Sequence, residues 1–333
     1  MFCCFFEKIV KCGAPFGRNV FSLRSKCAAA QNVCALRISR SCTLDRSDHI
    51  ARSASHYAKR ITLKIFVILQ KNFSKMAFLS EDLVFGPIHS RRLGNSLGVN
   101  LLPKVGKICT FNCVYCECGW TPEHRDEKAR LATPQEYEQT LENALKSLVG
   151  TPKEPDSITF SGNGEPTLHP NFPEIIDITI KLRDKYVPKA VISVLTNGTN
   201  IHKEQIFKTL QRVDNNICKL DGGTLETINK INLPNVKINL EQYIEDLQRF
   251  DGQVIIQTLF LRGEHNGQKI DNTTDEEINL WLGHLKKIKP RKTMIYVIDR
   301  ETPEKNLEKL SSEEMSRIAE KVKALGLNVE YYS

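Results

Sequence analysis

The sequence predicts an α/β fold in which parallel strands form either an open, partial barrel or a doubly wound sheet. Two observations carry this. From Leu83 onward, short β-branched runs alternate with longer amphipathic stretches, the rhythm of βα units. About six such repeats fit the available length, short of the eight of a closed barrel. In either arrangement ligands gather at the C-terminal ends of the strands.

Taken in order, residues 1–75 come first. They are rich in Arg, Ser and Cys, poor in acids, and show no sustained helical or strand period, so the segment is expected to be disordered or irregular. A mitochondrial-type presequence shares that Arg/Ser bias. A secretory signal fits less well, because the apolar start breaks at Glu7 and lacks a charged leader. A third reading is a gene start placed too far upstream, with translation beginning at Met76, where patterned sequence sets in abruptly. The domain division expected is therefore an extension, 1–75, and one core domain, 76–333.

Within the core, strands are predicted at 98–102 with a continuation near Cys109, then at 157–160, 190–195, 217–220, 254–261, 293–298 and 328–332. Helices are predicted at 134–149, 172–185, 203–212, 225–230, 240–250, 275–287 and 311–325. Thr133-Pro134 with Glu136 and Ser311-Ser312 with Glu314 supply capping signals, and Leu325-Gly326 a stop.

Composition excludes some functions. With 333 residues and 41% apolar side chains the chain can bury a full core. Its greasiest run, Ile65–Leu69, is too short to span a bilayer, so no membrane role is expected. The net charge of +8 is unevenly placed: residues 1–75 hold 14 Lys/Arg against 3 acids, whereas the rest holds 33 basic and 36 acidic residues, a balance of −3. The core thus exerts no general pull on phosphate backbones, which argues against nucleic acid as a partner.

Cysteine placement is the strongest chemical signal. Beyond the extension lie Cys109, Cys113, Cys116, Cys118 and Cys218, four of them within ten residues. That is a metal or cluster site in a reducing, cytoplasmic compartment, not a disulfide ladder. Cys109, Cys113 and Cys116, spaced CxxxCxxC, offer three thiolates on one tight loop, enough for three irons of a [4Fe–4S] cubane with the fourth left open. A structural zinc site remains the alternative, with Cys118 as fourth ligand.

One βα unit later, Ser161-Gly162-Asn163-Gly164-Glu165-Pro166 ends the strand at 157–160. The glycines allow close backbone approach to a ligand, and the Glu165 carboxylate can accept from an ammonium group.

Together these motifs resemble the radical S-adenosylmethionine (SAM) superfamily. The triad at 109, 113 and 116, with Tyr115 before the last cysteine, matches that family's cluster loop, and Asn163-Gly164-Glu165 falls where the family has Gly-Gly-Glu. The resemblance spans roughly 84–300. Phe85-Gly86-Pro87, Ser90-Arg91-Arg92-Leu93-Gly94, Leu195-Thr196-Asn197-Gly198, Lys219-Leu220-Asp221-Gly222-Gly223 and Asp299-Arg300-Glu301-Thr302-Pro303 are similar to a branch of Fe–S oxidoreductases near the wyosine-forming tRNA enzymes, mostly of unassigned substrate.

The resemblance implies a partial (βα)6 TIM-type barrel, a [4Fe–4S] cluster, S-adenosyl-L-methionine as cofactor, and a reduced flavodoxin or ferredoxin as electron donor. It implies reductive cleavage of SAM to a 5′-deoxyadenosyl radical that abstracts hydrogen from substrate. Cys109, Cys113 and Cys116 would ligate the cluster. Glu165 with Gly162, Asn163 and Gly164 would seat the methionyl ammonium, the backbone near Tyr115 would meet adenine, and Asn197, Lys219 and Asp221 would line the cofactor pocket. Lys219 and Asp221 could equally be a surface ion pair. Gln257 and Arg262 bracket the fifth strand, Arg262 being weighed as a carboxylate clamp against a solvated loop end, and Arg91-Arg92 as an anion site against a solvated turn; His89, His169 and His265 are weighed for proton transfer against ordinary loop histidines. Cys218 reads as core.

Overall fold

The computed structural model describes residues 79–122 and 129–333. The segment 1–75 and the boundary at Met76 lie outside the described residues.

The chain opens with an antiparallel hairpin, β1 (Val84–Ser90) and β2 (Gly94–Val99), the latter starting the parallel run. Then follow α1 (Pro134–Leu148), β3 (Ser157–Phe160), α2 (Phe172–Tyr186), β4 (Val191–Thr196), α3 (Glu204–Leu210) and β5 (Asn215–Lys219). Two helices, α4 (Leu225–Asn232) and α5 (Leu240–Gln248), lead to β6 (Val254–Leu259). After β7 (Leu261–His265) and β8 (Gln268–Asp271) come α6 (Asp275–Ile288), β9 (Lys292–Tyr296), β10 (Leu307–Lys309), α7 (Ser312–Lys323) and β11 (Val329–Tyr332).

The main sheet is eight-stranded in the order β1-β2-β3-β4-β5-β6-β9-β11, all parallel after the first pair, and it curls into an open, partial TIM-type barrel. This is the partial barrel expected, and it sets aside the doubly wound alternative. Helical crossovers between successive strands lie on one face. Alternation along each strand sorts the two faces. Ile217, Ile255 and Met294 point to the inner side with Leu93, Leu195 and Tyr332. Their neighbours Cys218, Val254, Ile256 and Ile295 join Tyr137, Leu141, Ile175, Leu247, Trp281 and Ile318 in the large core beneath the helices. Because both faces are covered, strands such as β6 are buried throughout.

Capping fixes the helix starts. Thr133 and Ser311 each form a full capping box with Glu136 and Glu314, as the sequence predicts. Two expectations are corrected. No strand continues near Cys109; the stretch makes only isolated bridges, Ile108 to Gly164 and Phe111 to Pro234. The run at 254–261 is split at Phe260, because the buried Asn272 side chain takes over the ladder there. Its Nδ2 donates to the Leu259 carbonyl at 2.8 Å and its Oδ1 accepts from Leu261 N at 2.9 Å. Leu261 is thereby diverted into a separate antiparallel sheet, β10-β7-β8.

Among the described residues, no helix is long and apolar enough to cross a membrane.

Candidate functional site

The cysteine loop leaves the C-terminal end of β2 and is pinned by its own apolar residues. Phe111, Val114 and Tyr115 bury themselves against Ile231, Leu259, Leu261 and Ile270. Backbone bonds from Asn112 N to the Asn232 carbonyl (2.8 Å) and from Val114 N to the Ile231 carbonyl (2.9 Å) tie the loop to the end of α4. Between these anchors the thiols are exposed to different extents: Cys113 is buried, Cys109, Cys116 and Cys118 only partly.

Each sulfur has a distinct surrounding. Phe111 N donates to Cys109 Sγ at 3.4 Å and the Asn197 amide approaches it at 3.6 Å, while burial pushes the Cys109 thiol up to about 12. Asn232 Nδ2 donates to Cys113 Sγ at 3.3 Å, and burial raises that thiol too. Cys116 is lowered to about 5, first by a side-chain hydrogen bond with Cys118; burial opposes this and the Lys107 ammonium adds to it. Cys118 lies 3.5 Å from the Gly162 carbonyl, to which its thiol donates. Among the described residues, no three His, Cys, Asp or Glu side chains close on a single ion.

The Gly162–Glu165 turn grips the loop from the end of β3. Ile108 N donates to the Asn163 carbonyl (2.9 Å) and Glu165 N to the Ile108 carbonyl (3.0 Å), so Cys109 follows a residue clamped on both sides. Gly164, at φ +136°, is required there: a Cβ would lie 1.8 Å from the Ile108 carbonyl oxygen. At Gly162 it would meet Asn100 at 2.3 Å. On the side where a Cβ would stand, the close approach these glycines permit is to the protein's own backbone and Asn100. The buried Asn163 side chain bonds the Pro103 and Ser80 carbonyls at 3.0 Å, again within the protein.

Glu165 is 1% exposed and knits β3 to β4. Its Oε1 accepts from Thr167 N (3.1 Å), Thr167 Oγ1 (2.6 Å) and Thr196 Oγ1 (2.7 Å), and its Oε2 from Asn197 N (2.7 Å). Burial raises its pKa in spite of these donors. One acceptor position remains on Oε2.

At the end of β5, Lys219 and Asp221 meet Tyr115. The Lys219 ammonium donates to the Tyr115 hydroxyl at 2.6 Å, lies 3.5 Å from Asp221, and sits 5.0 Å from the ring centroid; the Tyr115 hydroxyl donates to Asp221. Asn232 joins through its amide, 2.8 Å from Asp221. The Asp221 side chain is 0% exposed, so the surface ion pair considered above is replaced by a buried network. Burial works against a charged Lys219, yet Asp221, Tyr296, Cys113 and Cys116 hold its pKa above the ordinary value. Burial and Asp221 likewise push Tyr115 well up. A cavity of about 390 Å³ opens beside this network, lined by Thr110, Phe111, Asn197, Lys219, Asp221 and Tyr243 among others. That volume lies within the range of small-molecule sites.

Sequence reasoning missed three contributors. Lys107 is 2% exposed, with Nζ 3.1 Å from the Gly119 carbonyl; burial alone would lower its pKa, but the sulfurs of Cys116, Cys113 and Cys109 raise it. Asn232 touches both Cys113 and Asp221, and Thr196 completes the Glu165 net. For Asn232 and Thr196 nothing local marks the role, since Cys113 and Glu165 are distant in sequence; Lys107 lies two residues before Cys109, but only the fold shows that it is enclosed.

Most other candidates make contacts of their own, Arg92 and Gln257 beside the Lys219 network through Tyr296. Arg262 pairs with Glu314 at 2.6 Å and His265 with Glu304 at 2.7 Å. His169 is a buried residue bonded to the Ala132 carbonyl, and His89 is exposed. Arg91 pairs with Asp299 at the surface, whereas Arg92 stacks 4.8 Å over Tyr296 and donates to Gln257 at 3.1 Å. Cys218 is core, bonded to Asn216.

Comparison with known proteins bears on this geometry. The Radical SAM superfamily model matches residues 104–266. A UPF0026 protein of Synechocystis is 35% identical over 217 residues, 64% of this chain and 74% of the relative. A protein named GTPase Obg, from Brachyspira hyodysenteriae, is 29% identical over 75% of this chain, which spans only 35% of that relative's length. The crystal structure of Streptococcus suis SuiB bound to S-adenosylmethionine matches with a TM-score of 0.50 at 14% identity, over 68% of this chain and 49% of that one, a likeness of fold.

Proposed function

Since this chain belongs to the radical SAM superfamily and is an enzyme of that class, we propose that Cys109, Cys113 and Cys116 hold a [4Fe–4S] cluster whose fourth iron takes S-adenosyl-L-methionine. The donor set fits: three sulfur atoms on one loop suit iron–sulfur chemistry. A buried ammonium, Lys107, faces them, as a ligand group with surplus negative charge requires. When bound, the cluster and SAM would supply one-electron, reductive radical chemistry able to take hydrogen from a substrate.

The observation that carries the three-ligand reading is the CxxxCxxC spacing of Cys109, Cys113 and Cys116 inside the segment matched by the Radical SAM model, 104–266. Cys118, which contacts both Cys116 and the Gly162 carbonyl, lies outside that spacing, and the zinc analysis below tests whether it serves as a fourth ligand.

The chain's own residues divide the remaining work. The clamp of Ile108 by Asn163 and Glu165 sets where Cys109 stands, and Asn197 and Asn232 orient Cys109 and Cys113 by their amides. The free Oε2 position of Glu165, beside Gly164, would accept from the methionyl ammonium. The cavity walled by Asn197, Lys219 and Asp221 would take the rest of the cofactor, with adenine against the backbone near Tyr115. The apolar packing of Phe111, Val114 and Tyr115 keeps water from beneath the loop. A reduced flavodoxin or ferredoxin would supply the electron. The balance of −3 beyond residue 75 supports a substrate other than nucleic acid.

Iron, sulfide and zinc analysis after anaerobic reconstitution tests this. The reading expects near-equal iron and sulfide with visible charge-transfer absorbance; stoichiometric zinc without iron would overturn it.

A further inference from the structure

Among the described residues, Lys107 is the only lysine or arginine in the buried class, at 2% exposed. An ammonium withdrawn from water is strongly unfavourable unless an anion faces it. No carboxylate of the described residues pairs with Lys107. The hydrogen bond it makes to a carbonyl, Gly119 at 3.1 Å, is neutral, and what surrounds the charge are the sulfurs of Cys116, Cys113 and Cys109. Lys219 also faces sulfur, but Asp221 lies 3.5 Å away and offsets it. Lys107 has no such partner, and it stands two residues before Cys109 on the loop that would hold the cluster, so the anionic ligand set of a bound cluster is the counter-charge its burial calls for.

We infer that Lys107 is a fixed counter-charge for the iron–sulfur cluster, offsetting the excess negative charge of three thiolates around the core and so holding the reduction potential above the value the same ligands would otherwise give. This rests on the cluster reading above. The step it affects is the entry of one electron from a reduced flavodoxin- or ferredoxin-class donor, or from dithionite in the assay; no bond is made or broken in the protein. A fixed positive charge in a region of low dielectric favours the form with the additional negative charge.

The competing role is mechanical, since the Lys107–Gly119 bond also joins the two ends of the cysteine loop. The test therefore compares Lys107→Gln, Lys107→Met and Lys107→Arg with wild type by EPR-monitored redox titration, with iron content and circular dichroism on each. If the charge acts, the Gln and Met variants show at least a tenfold fall in the ratio of reduced to oxidised cluster at fixed donor potential, about 59 mV for one electron, while Arg stays near wild type. Unchanged potentials in cluster-loaded Gln and Met variants overturn the inference. Should those two fold but fail to keep iron, an Arg variant that keeps it supports the charge, and an Arg variant that loses it equally shows a loop staple and overturns the inference. A wild-type chain that takes up no iron refutes the cluster reading itself, and the role of Lys107 falls with it.

Discussion

Replacing Gly164 by Ala tests whether the turn after β3 positions the cysteine loop. The new Cβ would stand 1.8 Å from the Ile108 carbonyl oxygen, and both clashing groups are main chain, so no side chain can swing aside. The φ of +136° adds a conformational penalty of about 1–3 kcal/mol for a residue bearing a Cβ. Relieving the clash parts Ile108 from the turn and breaks two backbone hydrogen bonds, each of about 1 kcal/mol. The total is about 3–5 kcal/mol, a large share of ordinary domain stability. Gly150→Ala is the control: φ is +72° there too, but nothing lies within 4 Å of its Cβ, so only the backbone penalty of about 1–2 kcal/mol applies. Urea unfolding of the apoproteins reads the difference, with iron uptake as a second readout of the displaced Cys109. If Gly164→Ala is no more than about 1 kcal/mol less stable than Gly150→Ala, the clamp argument is wrong.

Further outcomes follow from the same contacts. Cys113→Ala should abolish cluster loading while Cys118→Ala leaves it largely intact, read as iron per chain; equal loss would mean the ligand assignment is mistaken. Glu165→Ala leaves Thr167 N and Asn197 N without an acceptor, so unfolding should become easier by about 1–3 kcal/mol before any cofactor is added, with Glu165→Gln milder. Arg92→Ala should lower the melting temperature more than Arg91→Ala, because Arg92 stacks on Tyr296 whereas Arg91 holds an exposed pair with Asp299 of about 1 kcal/mol or less. The hydrogen bond from His265 lowers the Glu304 pKa, so that bond's contribution to stability is present above the ordinary carboxylate range and is lost as pH falls through the depressed value. The melting-temperature gap between wild type and Glu304→Gln should therefore close in acid.

Much of this architecture could be read from the residues because it is locally encoded. The strand at 157–160 and the starts of the helices at 134, 172, 225, 240 and 275 fall where periodicity and capping signals put them. Hairpin strand β1 escaped notice because Gly86 and Pro87 interrupt its apolar run and a register shift lies between Phe85 and Ile88. The end of β6 escaped for a different reason: the residue that turns the chain, Asn272, lies eleven positions beyond Leu261. The cysteines and Glu165 were legible as donors and acceptors by type and spacing. Lys107 was not, since a lysine in a loop ordinarily lies at the surface, and only the folded loop shows that this one is enclosed.

The most direct test of the central claim is anaerobic incubation of the reconstituted protein with dithionite and S-adenosylmethionine, followed by mass-spectrometric detection of 5′-deoxyadenosine. The account predicts its formation, dependent on reductant and absent in Cys113→Ala. An iron–sulfur-loaded, SAM-binding protein that yields no 5′-deoxyadenosine would contradict it.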